Sequence, residues 1–153
     1  IMVQVLDAVE KLQAVGVRAE IYSATSYGEL RREGLACDRY NRLHPTEEAK
    51  KPWVEQLLGK ATVPAIAVSD NMAAVPDMIR QWVGGHFTVL GTDGFGRSDT
   101  REALRRFFEI DGKAIALAAL SSLVREGTID GAVYAKAQEA FGVSTERKDI
   151  TEL

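Results

Sequence analysis

The sequence has few of the residues from which many functional sites are built. It contains one cysteine, Cys37, and two histidines, His44 and His86, among 153 residues. One thiol cannot form an internal disulfide, and one thiol with two imidazoles falls short of the three or four nitrogen and sulfur ligands of a typical zinc site. An internal disulfide is therefore excluded, and no metal site is expected.

The chain also lacks an excess of positive charge and a long apolar run. Its 19 lysines and arginines are outnumbered by 22 aspartates and glutamates, which gives a formal net charge of -3. No stretch approaches the roughly 20 apolar residues that cross a bilayer, and no secretory signal pattern opens the chain. We therefore expect no nucleic-acid partner, no membrane partner and a cytoplasmic location.

Length and composition predict one globular domain. A chain of 153 residues with 46% hydrophobic residues is the size of one ordinary domain with a buried core. A helical pattern follows Ile1 directly, which is unusual for a natural amino terminus. Residues 1–153 are therefore expected to form a single domain of a longer polypeptide.

The spacing of apolar residues predicts helices alternating with strands. Strands are expected at Val17–Ser23, Val63–Val68 and His86–Leu90. Helices are expected at Met2–Val15, Ser26–Leu43, Lys50–Leu58, Met72–Trp82, Asp99–Phe108, Asp111–Arg125 and Asp130–Phe141, and the polar tail beyond Gly142 is expected to be loosely held. This order predicts an α/β fold in three layers, α/β/α, with a mainly parallel sheet covered on both faces.

Gly91–Ser98 is a glycine-rich turn between a predicted strand and a predicted helix, a position where backbone donors can hold an anion. Its spacing matches neither the dinucleotide fingerprint nor a Walker loop. We expect Gly94 and Gly96 to supply unusual dihedral angles, and Asp99, in a capping box with Glu102, to cap the next helix. The alternative is a free-standing α/β module that binds a phosphorylated small molecule at this turn.

Two residues of the turn predict a contact with another part of the protein. Phe95 is too apolar for an exposed loop tip, and Arg97 lies near a helix start, where a cation is unfavourable. We expect Phe95 to pack against another domain or subunit and Arg97 to pair with a carboxylate or carbonyl there. The candidate interface or turn residues are therefore Gly94, Phe95, Gly96, Arg97 and Asp99.

The other residues that could carry chemistry are assigned structural roles. His44 precedes Pro45 at a predicted helix end, where a histidine commonly caps the helix, and Cys37 has no histidine partner in the sequence. Cys37 is therefore expected to be a small buried thiol. No catalytic residue is predicted.

One short motif resembles a cofactor signature but is incomplete. Asp93-Gly94 is similar to part of the Gly-Asp-Gly signature with which thiamine enzymes hold a diphosphate-bound metal. Thr92 replaces the first glycine, and the downstream segment Ala118–Val124 has no asparagine to complete the signature. No cofactor-binding or metal-binding residue is therefore predicted in this chain.

Four segments together resemble one family. These are Tyr22–Leu30, Cys37–Pro45, Ala67–Asp70 and Val89–Asp99, in that order along the chain. They are similar to the homodimeric, thiamine-dependent pyruvate dehydrogenase component of bacterial complexes, and the resemblance lies in its carboxy-terminal, transketolase-like domain. The resemblance implies a mixed sheet with more strands than the three predicted here, and the strand expected before the first helix is missing from this sequence.

The resemblance also implies a function for the full-length protein. The family enzyme decarboxylates pyruvate on thiamine diphosphate with magnesium and acetylates the lipoyl group of the dihydrolipoyl acetyltransferase component, between glycolysis and acetyl-CoA. Its third domain chiefly supports the dimer. This chain is therefore expected to be a structural and assembly domain that is inactive alone, with other domains of its own chain and a second identical subunit as partners.

Overall fold

The computed structural model describes residues 1–60 and 62–146. Its elements are, in chain order, α1 (Met2–Ala14), α2 (Tyr27–Leu43), α3 (Trp53–Leu58), β1 (Ala65–Val68), α4 (Ala74–Asp77), a 3₁₀ turn (Arg80–Trp82), β2 (Phe87–Leu90), α5 (Arg101–Phe107), α6 (Gly112–Arg125) and α7 (Gly131–Phe141). In the described residues β1 and β2 form a two-stranded parallel sheet between two helical layers. The α/β class predicted from the sequence is confirmed.

The two strands pair in register, Ala65 opposite Phe87 and Val68 opposite Leu90. Because side chains alternate along a strand, one sheet face contributes Val68 and Leu90 to a first core, and the other contributes Ala65 and Phe87 to a second. The parallel sheet therefore has a hydrophobic core on each face, as its nearly continuous apolar strands predict.

Helix α6 covers the first face of the sheet and is the most buried helix described. Its Ala116 and Leu120 are 0% exposed, and they pack in one cluster with Ala8 and Leu12 of α1 and Ala137 of α7. Fully burying one leucine side chain stabilises a fold by about 1.5–3 kcal/mol relative to its exposed state. The first layer is therefore a bundle of α1, α6 and α7 seated on the strands.

The second face is covered through the close approach of Trp82 to α2. A Cβ atom added at Gly34 would lie 2.5 Å from the Trp82 ring, so the indole lies directly on the helix backbone. The indole Nε1 donates to a carboxylate oxygen of Asp38 at 3.3 Å. Val54 and Ile79 complete this buried cluster.

Local capping signals predict the helix starts well. The Ser26 side chain accepts a hydrogen bond from the Glu29 backbone N–H at 3.2 Å and begins α2. Asp111 caps α6 through the Ala114 N–H in the same manner. His44 is the residue at which α2 ends, one position before a proline, as predicted.

The predicted strand Val17–Ser23 is wrong. Val17 donates to the Leu12 carbonyl at 2.9 Å, which finishes α1, and residues 18–25 make no backbone hydrogen bond to any described residue. The segment is exposed and has the alternation of a strand, but no described strand pairs with it. A segment becomes a strand only when a second strand forms backbone hydrogen bonds with it, and the sequence of the segment does not specify that partner.

The predicted helix Met72–Trp82 is broken into α4 and the 3₁₀ turn. Pro76 lies inside this segment and has no N–H to donate. The bonds that follow span three residues, from the Ile79 N–H to the Pro76 carbonyl at 3.4 Å and from the Trp82 N–H to the Ile79 carbonyl at 3.0 Å. This tighter winding places Trp82 on α2.

Two further features concern the chain ends and membranes. Of the tail predicted to be loosely held beyond Gly142, residues 147–153 lie outside the described residues. Within the described part of the chain, no helix has both the length and the apolar character needed to span a bilayer.

The contact between Trp82 and α2 gives the first testable prediction. Gly34→Ala should lower the free energy of unfolding by about 1–3 kcal/mol, because the new methyl group overpacks against the indole. Gly28→Ala is the matched control in the same helix, since its Cβ would meet only the Ser26 Oγ, at 3.9 Å. Urea denaturation followed by circular dichroism measures both variants. An equal effect of the two substitutions would contradict the close packing of Trp82 on α2.

Candidate functional site

The glycine-rich turn is fixed to the loop that follows β1. The Thr92 backbone N–H donates to the Asn71 carbonyl and its hydroxyl donates to the Asp70 carbonyl, both at 3.0 Å. The Asp93 carboxylate accepts from the Ala73 N–H at 2.9 Å. These bonds join the two loops at the carboxyl ends of the parallel strands, the edge where α/β folds commonly place their sites.

The three glycines of the turn differ in whether their backbone conformation or their contacts require glycine. Gly94 has a φ of +101°, as predicted for an unusual dihedral. Gly96 does not have a positive φ, and a Cβ there would meet nothing within 4 Å, so the predicted need for a special conformation at Gly96 is wrong. Gly91 is required by contact, because a Cβ there would lie 2.4 Å from the Ala73 nitrogen.

The helix after the turn is capped by Thr100, not by Asp99 as predicted. The Thr100 hydroxyl accepts from the Ala103 N–H at 3.2 Å, while Asp99 accepts from the Thr100 N–H at 2.7 Å. Glu102 pairs instead with Arg106 at 3.0 Å. The cap lies one residue later because the threonine, which can also cap, has the extended backbone required at this position.

Phe95 and Arg97 project from the turn in different ways. Phe95 is 61% exposed. The Arg97 guanidinium carbon lies 4.1 Å from the centroid of the Phe107 ring, a cation–π contact that holds this cation close to α5. The expected contacts of both residues with another domain or subunit stay predictions.

The turn is poorly arranged to hold a phosphate. The Thr92 and Thr100 amides already donate within the protein, to Asn71 and Asp99 respectively. The carboxylates of Asp93 and Asp99 add negative charge at both ends of the turn, which would repel an anion.

Thiamine diphosphate with magnesium also does not fit this turn. Asp93, the carboxylate of the incomplete signature, is engaged by the Ala73 N–H. Among the described residues, no group of three or more histidine, cysteine, aspartate and glutamate side chains is placed to hold a metal ion. No step through this cofactor can be derived from the residues that the structure describes.

A second polar cluster, which the sequence patterns did not predict, lies where α2 ends. The Tyr40 hydroxyl donates to Glu47 at 2.5 Å, and the His44 Nδ1 lies 3.0 Å from the other carboxylate oxygen of Glu47. The Tyr40 and His44 rings stack with centroids 4.4 Å apart. Hydrogen bonds from Tyr40 and then from His44 lower the pKa of Glu47, and the bond to Glu47 raises the pKa of Tyr40.

The same cluster ties the following loop back to α2. The Asn41 amide group donates to the Lys50 carbonyl at 2.9 Å and accepts from the Lys50 N–H at 2.8 Å. The Lys50 ammonium lies 3.7 Å from the centroid of the Tyr40 ring. His44 thus has a structural place at the helix end, with Glu47 rather than a backbone carbonyl as its partner.

Cys37 is buried beside Glu33, as a structural thiol was predicted to be. Burial raises the pKa of the Cys37 thiol, and the negative charge of Glu33 raises it further. His44 follows seven residues later, which is about 10 Å along a helix and too far for a hydrogen bond. A thiol whose pKa is raised by burial and by a neighbouring carboxylate, and which has no histidine within hydrogen-bond reach, is a poor nucleophile.

The comparisons with known proteins agree with the resemblance. The family model described as "Transketolase-like TK C-terminal domain" matches residues 1–111. The chain belongs to this family. The transketolase C-terminal-like fold implied by the sequence resemblance is thereby confirmed.

Three curated relatives carry the name "Pyruvate dehydrogenase E1 component". The chain is 49% identical to the protein of Mycolicibacterium smegmatis over 127 residues, which are 83% of this chain and 14% of that protein. It is 46% identical to the Pseudomonas aeruginosa protein over 135 residues, 88% of this chain and 15% of that protein. It is 42% identical to the Escherichia coli K12 protein over 133 residues, 86% of this chain and 15% of that protein. The chain thus spans about one seventh of the length of these relatives.

The corrected cap at α5 can be tested directly. Thr100→Ala should reduce the free energy of unfolding by about 0.5–2 kcal/mol, because the Ala103 N–H loses its side-chain partner. Asp99→Ala should have a smaller effect, since Asp99 accepts only from the neighbouring residue. Thermal unfolding of both variants gives the comparison, and a larger loss for Asp99→Ala would restore Asp99 as the cap.

Proposed function

We propose that this chain is the carboxy-terminal domain of a pyruvate dehydrogenase component and that it serves assembly rather than chemistry. The observation that carries the proposal is the 42–49% identity, over most of this chain, to bacterial proteins named as that component. This level of identity supports a shared role for the matched region. The matched region is only a small part of each relative.

The open sheet supports the proposal that residues 1–153 are one domain of a longer polypeptide. In the described part of the chain, β1 and β2 each have one strand neighbour. The segment at 18–25 adds further backbone groups that have no backbone partner among the described residues. Backbone groups gain stability when they are paired, so an additional strand from the rest of the polypeptide would complete this sheet.

The activity of the whole protein is proposed from its relatives. The intact polypeptide would decarboxylate pyruvate and acetylate the lipoyl group of the dihydrolipoyl acetyltransferase component in the cytoplasm of a bacterium. Thiamine diphosphate and magnesium would bind to its other domains, because the turn at Asp93 does not present a fitting ligand set. A second identical subunit is the proposed partner in the dimer.

The glycine-rich turn is the proposed contact of this domain with the rest of the assembly. Hydrogen bonds to Asn71, Asp70 and Ala73 hold the turn in one place. Phe95 is therefore presented on an anchored loop, so little conformational entropy is lost when it packs against a partner. The phosphate-binding alternative is less favoured, since the Thr92 amide of this turn is used within the protein and the carboxylates of Asp93 and Asp99 would repel an anion.

The proposed division of labour can be tested by comparing two polypeptides. The intact protein with thiamine diphosphate and magnesium should reduce an artificial electron acceptor when pyruvate is added. Purified residues 1–153 should show no pyruvate-dependent reduction, because they hold neither the cofactor nor an acid–base pair placed for this chemistry. Turnover by residues 1–153 would refute the assembly role. An intact protein inert toward pyruvate would refute the assignment to this enzyme.

The interface role of the turn has its own test in the intact protein. Phe95→Ala and Arg97→Ala should each raise the dimer dissociation constant, or weaken interdomain docking, before activity at saturating protein concentration changes. Analytical ultracentrifugation and pyruvate turnover measure the two effects. Met72→Ala, an exposed apolar truncation on the adjoining loop, serves as a control for nonspecific loss of surface area. Loss of turnover from stable, dimeric Phe95 and Arg97 variants would instead place the turn in the active site.

A further inference from the structure

The exposed side of α2 carries a stripe of arginines and leucines that makes no side-chain hydrogen bond or ion pair among the described residues. Its members are Arg31, Leu35, Arg39, Arg42 and Leu43, which we call the α2 stripe. At 3.6 residues per turn these five positions fall on one side of the helix, and they extend over about 18 Å. The opposite side of α2 holds the buried residues Gly34 and Cys37.

The arginines of the α2 stripe have no acidic partner among the described residues, whereas the acids around them are engaged. Glu29 pairs with Arg32, Asp77 with Arg80, Glu33 with the Trp53 N–H, and Asp38 with Gln81 and Trp82. All charged side chains of the stripe itself are therefore positive and unpaired, on a chain whose formal net charge is -3. An unpaired row of arginines attracts carboxylates, which guanidinium groups bind in a fork geometry.

The leucines of the α2 stripe add an apolar component. Leu35 is 41% and Leu43 is 54% exposed. Leu35 lies in a groove between α2 and the chain after α4, beside Met78 and Arg31. Leu43 lines a second groove of about 330 Å³, where the cations of Arg39 and Lys50 outnumber the one carboxylate, that of Glu33. Apolar side chains of a partner would find a depression near each leucine.

We propose that the α2 stripe is a docking surface for an acidic polypeptide segment in which leucine-sized side chains alternate with carboxylates. Charge complementarity selects an acidic occupant, and the leucines in the row select a polypeptide over a nucleic acid. A phosphodiester backbone offers uniform charge and no aliphatic groups to fill the grooves. The α2 stripe is remote in sequence from the glycine-rich turn, and its acidic occupant is not among the partners named in the proposed function.

The test uses the intact polypeptide and a defined probe. The probe is a fluorescent acidic peptide of glutamates interspersed with leucines, one leucine at every third or fourth position. Binding is followed by fluorescence anisotropy at low and moderate salt. The double substitution Arg31→Glu with Arg42→Glu should weaken binding by at least about tenfold. The matched control, Arg125→Glu with Lys136→Glu, changes the net charge equally at exposed positions of α6 and α7 and should weaken it by less than about twofold.

Two comparison probes separate this surface from general attraction between charges. A version of the peptide with alanine at every leucine should bind several-fold more weakly, because it leaves the grooves unfilled. Oligodeoxythymidylate of the same formal charge should bind more weakly than the leucine peptide. The proposal fails if the intact polypeptide does not bind the leucine peptide, if the two pairs of substitutions act equally, or if the oligonucleotide binds as tightly.

Discussion

The burial of α6 is the interaction on which the rest of the described structure depends. Two four-residue strands cannot form a stable sheet by themselves, so they need a helix that covers them. Ala116 and Leu120 of α6 are completely buried, and the Ser122 hydroxyl lies 3.3 Å from Thr88 of β2. The same helix holds α1 and α7. The carboxyl ends of the strands, which carry the glycine-rich turn, are therefore held in place by the core of α1, α6 and α7. This core lies on the sheet face opposite α2.

How much of the fold can be predicted from the sequence depends on how local each signal is. Asp111, Asp130 and Ser26 begin helices as predicted, because a cap involves residues only two or three positions apart. The segment Val17–Ser23 alternates like a strand, but its conformation depends on a partner strand that the segment does not specify. The contact of Trp82 with Gly34 spans 48 residues of sequence, and no periodicity indicates it.

The candidate sites follow the same division. The turn at Gly94 was predictable because glycine and its neighbours are a local signal, whereas the choice between Asp99 and Thr100 as the cap required the backbone geometry. The Tyr40–Glu47 bond crosses the end of a helix, where the helical period no longer applies, so spacing rules do not find it. Family resemblance supplied the functional context that local patterns could not.

Because of the position of Glu33, the single thiol of the chain, Cys37, can report on the packing of α3 against α2. The Glu33 carboxylate accepts a hydrogen bond from the Trp53 N–H, the first amide of α3, and also lies beside the sulfur of Cys37. The packing of α3 on α2 therefore affects the surroundings of the thiol through Glu33. When α3 separates from α2, Glu33 loses the Trp53 N–H but stays beside Cys37, one turn away in the same helix, so the surroundings of the sulfur change with the docking of α3. The speed at which a maleimide labels native protein therefore measures a local opening equilibrium, distinct from global unfolding.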